Sequence, residues 1–375
     1  MRRSLRSARR FSRGAKPCLR GALLLGLSLS AAASRAAGPP FDHKLATPHR
    51  IEMSADLGPA RDELTLITGG PEAAAALRRL KAHPAVAPAL TKQGMSPDSY
   101  LGRLVTAAAG TPDPLLQTYA ADGAFYGRVL QAFEADSALA ALEGNRLASL
   151  LPTATPITAK LVLVPFFGAA GFADVVTFRE GDTLYVVADL PRLAGDIRAT
   201  PPPKEVVLKV LRAAAAEAWR VLFEAHVKKP PAWPAEKGAD IDALLSRTVA
   251  EGPVTVFLFP DEFFPIDSLL EEPIARSFAR WNRSAEALIA AKKKEKELSE
   301  ILETTTRGEF WNRSAAIVGA EMTDALVRHA GREAYLKALT AGPRAVAALY
   351  LDLQKLKKLP LLTKELRKAL DAKKE

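Results

Sequence analysis

The hydrophobic period of this chain changes once and then changes back, and no other feature constrains its fold as strongly. From Ala60 to about Gly144 apolar residues recur at three- and four-residue spacing, as in Leu64, Leu66, Ile67, Ala75, Leu77, Leu80, Leu101, Leu104 and Val105. That spacing marks one face of a series of α-helices. Leu161-Val162-Leu163-Val164, Val175-Val176-Thr177-Phe178 and Leu184-Tyr185-Val186-Val187 break the pattern. They read as three strands, with Glu180-Gly181-Asp182 turning the second into the third. After Pro201-Pro202-Pro203 the helical period returns. A long helix is predicted from about Lys204 to His226, with Val207, Leu211, Ala214, Ala218, Val221 and Ala225 as its buried stripe. The expected class is α+β, mostly helical, with a small sheet at about residues 160–189 packed on that helix and helical parts before and after it.

The start of the chain has to be set apart before charge means anything. Residues 2–20 hold eight Arg and Lys and no acid, and an apolar run from Gly21 to Ala33 follows. Ala31-Ala32-Ala33 and Ser34-Arg35-Ala36 both have the small-residue form of a cleavage site. Residues 1–37 therefore read as a signal peptide, cleaved between Ala33 and Ala37, and the protein as exported, periplasmic or secreted. The apolar run is too short for a spanning helix, and no later segment is long and apolar enough to cross a membrane. Nine of the 52 Lys and Arg lie in residues 1–37 and none of the 42 acids does, so the remainder has a net charge of +1. That balance is no nucleic-acid footprint. The single cysteine, Cys18, leaves with the signal, which excludes disulfides and thiolate chemistry from the mature chain.

Residues 38–57 read as an irregular, Pro-containing lead-in. The Pro-Thr-rich stretch Leu151 to Pro156 marks a boundary between a helical N-terminal region (38–157) and a second region (158–375). Past the Pro-rich loop Lys229 to Pro234, two short helical stretches flank the apolar piece Val254 to Phe259. Phe257 to Phe264, with Asp261 and Glu262, fits a buried strand and turn better than a groove. Helices are then predicted from about Pro273 to Glu303, from Trp311 to His329, and from Arg332 to the end.

The long helix carries the one segment with a chemical signature, Ala216-Glu217-Ala218-Trp219-Arg220. In His-Glu-x-x-His the two histidines, four apart on one helix face, hold zinc and the glutamate activates the bound water. Here only Glu217 remains. Ala216 cannot ligate, and Arg220 brings a permanent cation to the second ligand position. His43, His49, His83, His226 and His329 include no pair four residues apart, and a zinc site from His226, His329 and a carboxylate has no local spacing behind it. Trp219 and Phe223 fit core packing better than substrate contact. The chain has no Gly-x-Ser-x-Gly, no P-loop and no dinucleotide fingerprint.

In order and spacing the chain resembles a group of bacterial exported proteins read as zinc-dependent peptidases of the gluzincin type. There a small sheet precedes the His-Glu-x-x-His helix, a Glu-Gly-x-Ala element follows some thirty residues on, and a late helix opens Gly-x-x-Met. Glu217 stands in the first slot. Glu251-Gly252-Pro253-Val254 stands in the second, with Val254 for the alanine, and Gly319-Ala320-Glu321-Met322 in the third, with Gly331 and Tyr350 trailing. The likeness spans residues 60–355. It implies a metallopeptidase-like domain over 158–375, a zincin-like active-site helix, Glu217 as a relic general base, and Ala216, Arg220 and Glu251 as relic ligand positions. With two of three ligands gone, no cofactor is expected and zinc is expected to be lost. The resulting expectation is a catalytically inactive, metallopeptidase-like protein that binds a peptide or protein in the relic cleft. The alternative is an active hydrolase that uses an unrecognised metal site or none. If the peptidase geometry survives, Arg220 reaches both Glu217 and Glu251 and forms an ion-pair hub in place of zinc. Otherwise its stem lies along the helix and its head points to solvent.

Overall fold

Four strands form one mixed sheet in the order β1-β2-β4-β3: β1 (Arg50–Ala55), β2 (Thr158–Phe166), β3 (Val175–Glu180) and β4 (Thr183–Asp189). The computed structural model describes residues 47–371 apart from 112, 153–155, 169–171, 196–200, 230, 234–239, 259–270, 291–294 and 307–309. The expected signal peptide (1–37) with its cleavage site, His43, and residues 259–264 lie outside the described residues. β3 and β4 form the expected antiparallel hairpin, with Glu180 opposite Thr183. β2 runs parallel to both β4 and β1.

β1 corrects the reading of residues 38–57 as an irregular lead-in. Its side chains alternate, with Ile51 and Met53 buried, and Arg50 to Ala55 pair with Thr158 to Leu163. Seven helices fill the crossover from β1 to β2: α1 (Gly58–Ile67), α2 (Ala73–Ala82), α3 (Val86–Lys92), α4 (Pro97–Ala108), α5 (Pro114–Ala121), α6 (Gly123–Ala135) and α7 (Ala138–Ser149). Both sheet edges have a helix beside them. At the outer edge of β1, Gly144 of α7 lies so close that a Cβ there would come within 3.1 Å of the Ile51 carbonyl oxygen. At β3, Lys92 of α3 donates to the Thr177 carbonyl and Gln93 Oε1 accepts from the Ala173 N–H at 3.1 Å. Such contacts leave less of each edge open to another strand.

Two helices, one short and one long, complete the surroundings of the sheet. α8 (Leu190–Ala194) follows β4 and is capped by Asp189, whose Oδ1 accepts from the Arg192 N–H at 3.0 Å. α9 (Pro203–His226) is the long helix, and it packs on β2, β3 and β4. Pro203 at its first turn suits it, because that nitrogen needs no partner there. The buried face differs slightly from the expected stripe: Val221 is half-buried and Ala225 exposed, while Leu222 and Phe223 are enclosed. Trp219 and Phe223 stack at 4.5 Å, and Trp233 meets Phe223 edge-on at 4.9 Å. The two indoles donate to the Leu150 and Leu339 carbonyls at 3.4 and 3.1 Å, so both amphipathic rings are satisfied inside the core.

The C-terminal helices depart from the sequence reading where local rules are overridden. α10 (Ile241–Leu258) runs unbroken through Pro253, so the apolar piece from Val254 onward continues a helix as far as Leu258. The expected helix from Pro273 to Glu303 is described as two, α11 (Glu271–Ile289) and α12 (Glu295–Thr304). A 3₁₀ turn at Phe310–Asn312 precedes α13 (Ser314–His329). The last helical region is three helices, α14 (Arg332–Ala341), α15 (Pro343–Leu356) and α16 (Lys364–Asp371), the first break falling at Gly342 with φ +106°.

α10 and α13 cross where Gly252 faces Gly319. A Cβ on Gly319 would overlap the Thr248 carbonyl oxygen and stand 2.9 Å from the Gly252 nitrogen; one on Gly252 would stand 2.6 Å from Thr323 Oγ1. Glycine at both positions is what lets the two backbones touch. Gly319→Ala is expected to destabilise the protein by about 3 kcal/mol in urea denaturation, because rigid backbone cannot yield to the added methyl. An alanine variant as stable as the parent would rule out this close crossing.

His49 ties β1 to the segment before β2. Its Nδ1 accepts from the Ile157 N–H at 3.0 Å, so Nε2 carries the proton and donates to the Leu151 carbonyl at 3.2 Å. Burial lowers its pKa, the carbonyls of Leu151 and Pro152 oppose that, and the charges of Arg332 and His226 add to the lowering. The folded state therefore binds the proton less readily than the unfolded chain, and stability is lost as pH falls below the ordinary value of 6.5. Urea denaturation followed from about pH 7.5 to about pH 5.5 should show this loss, and His49→Asn, whose Oδ1 can take the Nδ1 bond, should show less of it.

Candidate functional site: the Arg220 ion-pair hub

Glu217 and Arg220 lie three residues apart on α9 and so project from one side of it. Glu251 comes from α10, which packs against α9 and is held by the Gly252–Gly319 crossing on its other flank. The guanidinium of Arg220 stands between the two carboxylates. Its Nη1 donates to Glu217 Oε2 at 2.8 Å, and its Nη2 reaches Glu251 Oε2 at 3.0 Å and Oε1 at 3.2 Å. The planar fork thus serves one carboxylate with each terminal nitrogen. The two glutamates and the arginine assigned from sequence meet at one point, and the head of Arg220 is not turned out to solvent.

The three side chains are 29, 39 and 32 % exposed for Glu217, Arg220 and Glu251, which places the hub between a surface pair and a buried one. Burial works against the Arg220 charge, and the fields and hydrogen bonds of Glu251 and Glu217 outweigh it, so its pKa is raised. Arg220 is a fixed cation at any ordinary pH. Ala216 lies one turn before it and is 2 % exposed, closed over by core. Met322 is buried, and the buried Tyr350 hydroxyl donates to the Pro360 carbonyl at 2.9 Å.

Among the described residues no group of three or more His, Cys, Asp and Glu side chains is placed to hold a metal ion. His83 pairs with Asp56 at 3.0 Å, His49 is bound to backbone, and His226 and His329 each have their pKa lowered, by burial first. A cavity of about 920 Å³ lies between β1, α1, α6 and α7, with Lys160, Tyr185 and Leu211 in its wall; the hub residues do not line it.

One buried polar cluster went unread in the sequence. Glu63 of α1 is fully enclosed; it accepts from the Tyr100 hydroxyl at 2.5 Å and from the Phe167 N–H at 2.7 Å. Tyr100 also faces the Phe167 carbonyl. The Tyr100 hydroxyl thus stands between two acceptors, Glu63 Oε1 and the Phe167 carbonyl. Burial pushes the Glu63 pKa well up, and it pushes Asp189 up to about 7. The signal in the sequence was an acid on the apolar face of α1, beside Leu66 and Ile67.

No protein-family model matches the chain, and no curated protein or solved structure is significantly similar to it.

Removing the cation should cost more than removing one anion. Arg220→Leu leaves two carboxylates facing each other and is expected to lower stability by about 1–2 kcal/mol at low salt. Adding Glu251→Gln to it should recover part of that loss. The double-mutant cycle for Arg220 and Glu251 measures the coupling; additive effects would mean the contact holds nothing together.

Proposed function

We propose that this is an exported, non-catalytic protein of metallopeptidase-like descent, in which Arg220 occupies the place of the metal and the relic cleft receives a peptide or protein. The observation that carries the reading is the bridging of Glu217 and Glu251 by one guanidinium. A zinc ion between those carboxylates and a third ligand would take up the same positive-charge role. The arginine satisfies both anions with a group that can neither leave nor activate water. Two further observations support it. Ala216, at the first ligand position, is enclosed by core, and the glycines of the second and third motif slots meet at the α10–α13 crossing. The resemblance, the export and the loss of zinc belong to this proposal, and so does the ligand class.

Purified mature protein is expected to carry no stoichiometric zinc and to show no chelator-sensitive proteolysis. Arg220→His puts an imidazole between two carboxylates and leaves the enclosed Ala216 untouched, and it is expected to bind zinc in calorimetry. Ala216→His with Arg220→His restores the full motif, and its melting curve reports whether the ring fits the core. Stoichiometric zinc in the unaltered protein, or proteolysis abolished by a chelator, would overturn the proposal.

A further inference from the structure

The segment joining α15 to α16 presents two leucines to solvent. Leu356 is 77 % exposed and Leu361 67 %, the highest values among the exposed large hydrophobic side chains described. Lys357 and Lys358 stand between them and Lys364 follows, all three exposed, Lys364 acting electrostatically on its neighbour Glu365. The neighbouring cations are engaged: Lys355 and Arg367 with Asp352 at 3.0 and 3.2 Å, and Lys368 with Glu365 at 3.7 Å.

This exposure is built in. The Pro360 carbonyl accepts from the Tyr350 hydroxyl and from Gln354 Nε2, and the Leu359 N–H donates to the Lys357 carbonyl. Asn282 of α11 clamps the other side: its Nδ2 donates to the Leu361 carbonyl at 2.8 Å and its Oδ1 accepts from the Thr363 N–H at 2.9 Å. Leu362 is buried at 5 %. A segment anchored on both sides of Leu361, with Leu362 inward, has no conformational route to hide the neighbouring leucine.

We propose that this segment docks the protein on an anionic phospholipid surface, with Lys357, Lys358 and Lys364 against the headgroups and Leu356 and Leu361 at the acyl boundary. Opposite charge draws exposed lysines to such a surface, and the two leucines supply the apolar contact that pure electrostatics lacks. The shape favours lipid over an acidic protein. A stable protein interface needs a contiguous apolar centre closed by a polar rim, whereas here two separate tips rise from a cationic collar. No described helix is long and apolar enough to cross a membrane, so the contact is peripheral. The proposal rests on residues remote in sequence from the hub and stands or falls independently of it.

The test is co-sedimentation of the full mature chain with vesicles of phosphatidylglycerol and phosphatidylcholine in equal parts, beside vesicles of phosphatidylcholine alone. Binding is expected to the anionic vesicles, to weaken with salt, and to be absent on the neutral ones. Lys357→Glu with Lys358→Glu should lower partitioning by roughly tenfold or more. Leu356→Ser with Leu361→Ser changes exposed side chains only; it should weaken binding while leaving the melting curve unchanged. Failure to bind anionic vesicles, or binding that both double variants retain, overturns the proposal. Retention on immobilised polyglutamate without vesicle binding overturns it too and assigns the surface to an acidic protein.

Discussion

Two carboxylates on neighbouring helices stay within hydrogen-bond range of one point only if a cation stands there. Their mutual repulsion and partial desolvation would otherwise part the helices or force a proton onto one of them. In this protein Arg220 supplies that cation, and the arrangement around it follows. α9 must carry Glu217 and Arg220 on one side, which three-residue spacing does. α10 must bring Glu251 close, which requires its other flank to lie tight against α13. The Gly252–Gly319 contact makes that approach sterically free. Charge placement and backbone clearance are two requirements on one helix, met by adjacent residues.

The same logic explains how much could be read in advance. The strands of the hairpin and α9 declare themselves by period, since their buried faces are made by residues close in sequence. β1 hides because it is six residues long and finds its pairing with β2 a hundred positions away. Pro253 misleads because the local rule assigns it to a helix end. The packing of α10 against α9 and α13 overrides that rule, and Arg146 of α7 donates to the Val256 carbonyl at 3.1 Å just beyond it. Arg220 was legible as a cation three residues from Glu217 on one helix, but its direction was not, because an arginine stem lies as readily along a helix toward water. Glu63 was missed outright. Its burial depends on Tyr100 and Phe167, distant residues that no window around α1 contains.

Gly144 of α7 lies against the outer edge of β1, and Lys92 and Gln93 bond to Thr177 of β3 and to Ala173 just before it. Glu63, Tyr100 and the backbone of Phe167 form a buried polar cluster beside the sheet.

The measurement that bears most directly on the central claim is a crystal structure of the purified protein grown in excess zinc, with anomalous data at the zinc edge. The account predicts Arg220 between Glu217 and Glu251, within hydrogen-bond distance of both, and no anomalous peak between them. A zinc peak within coordination distance of the two carboxylates, with Arg220 swung aside, would contradict it.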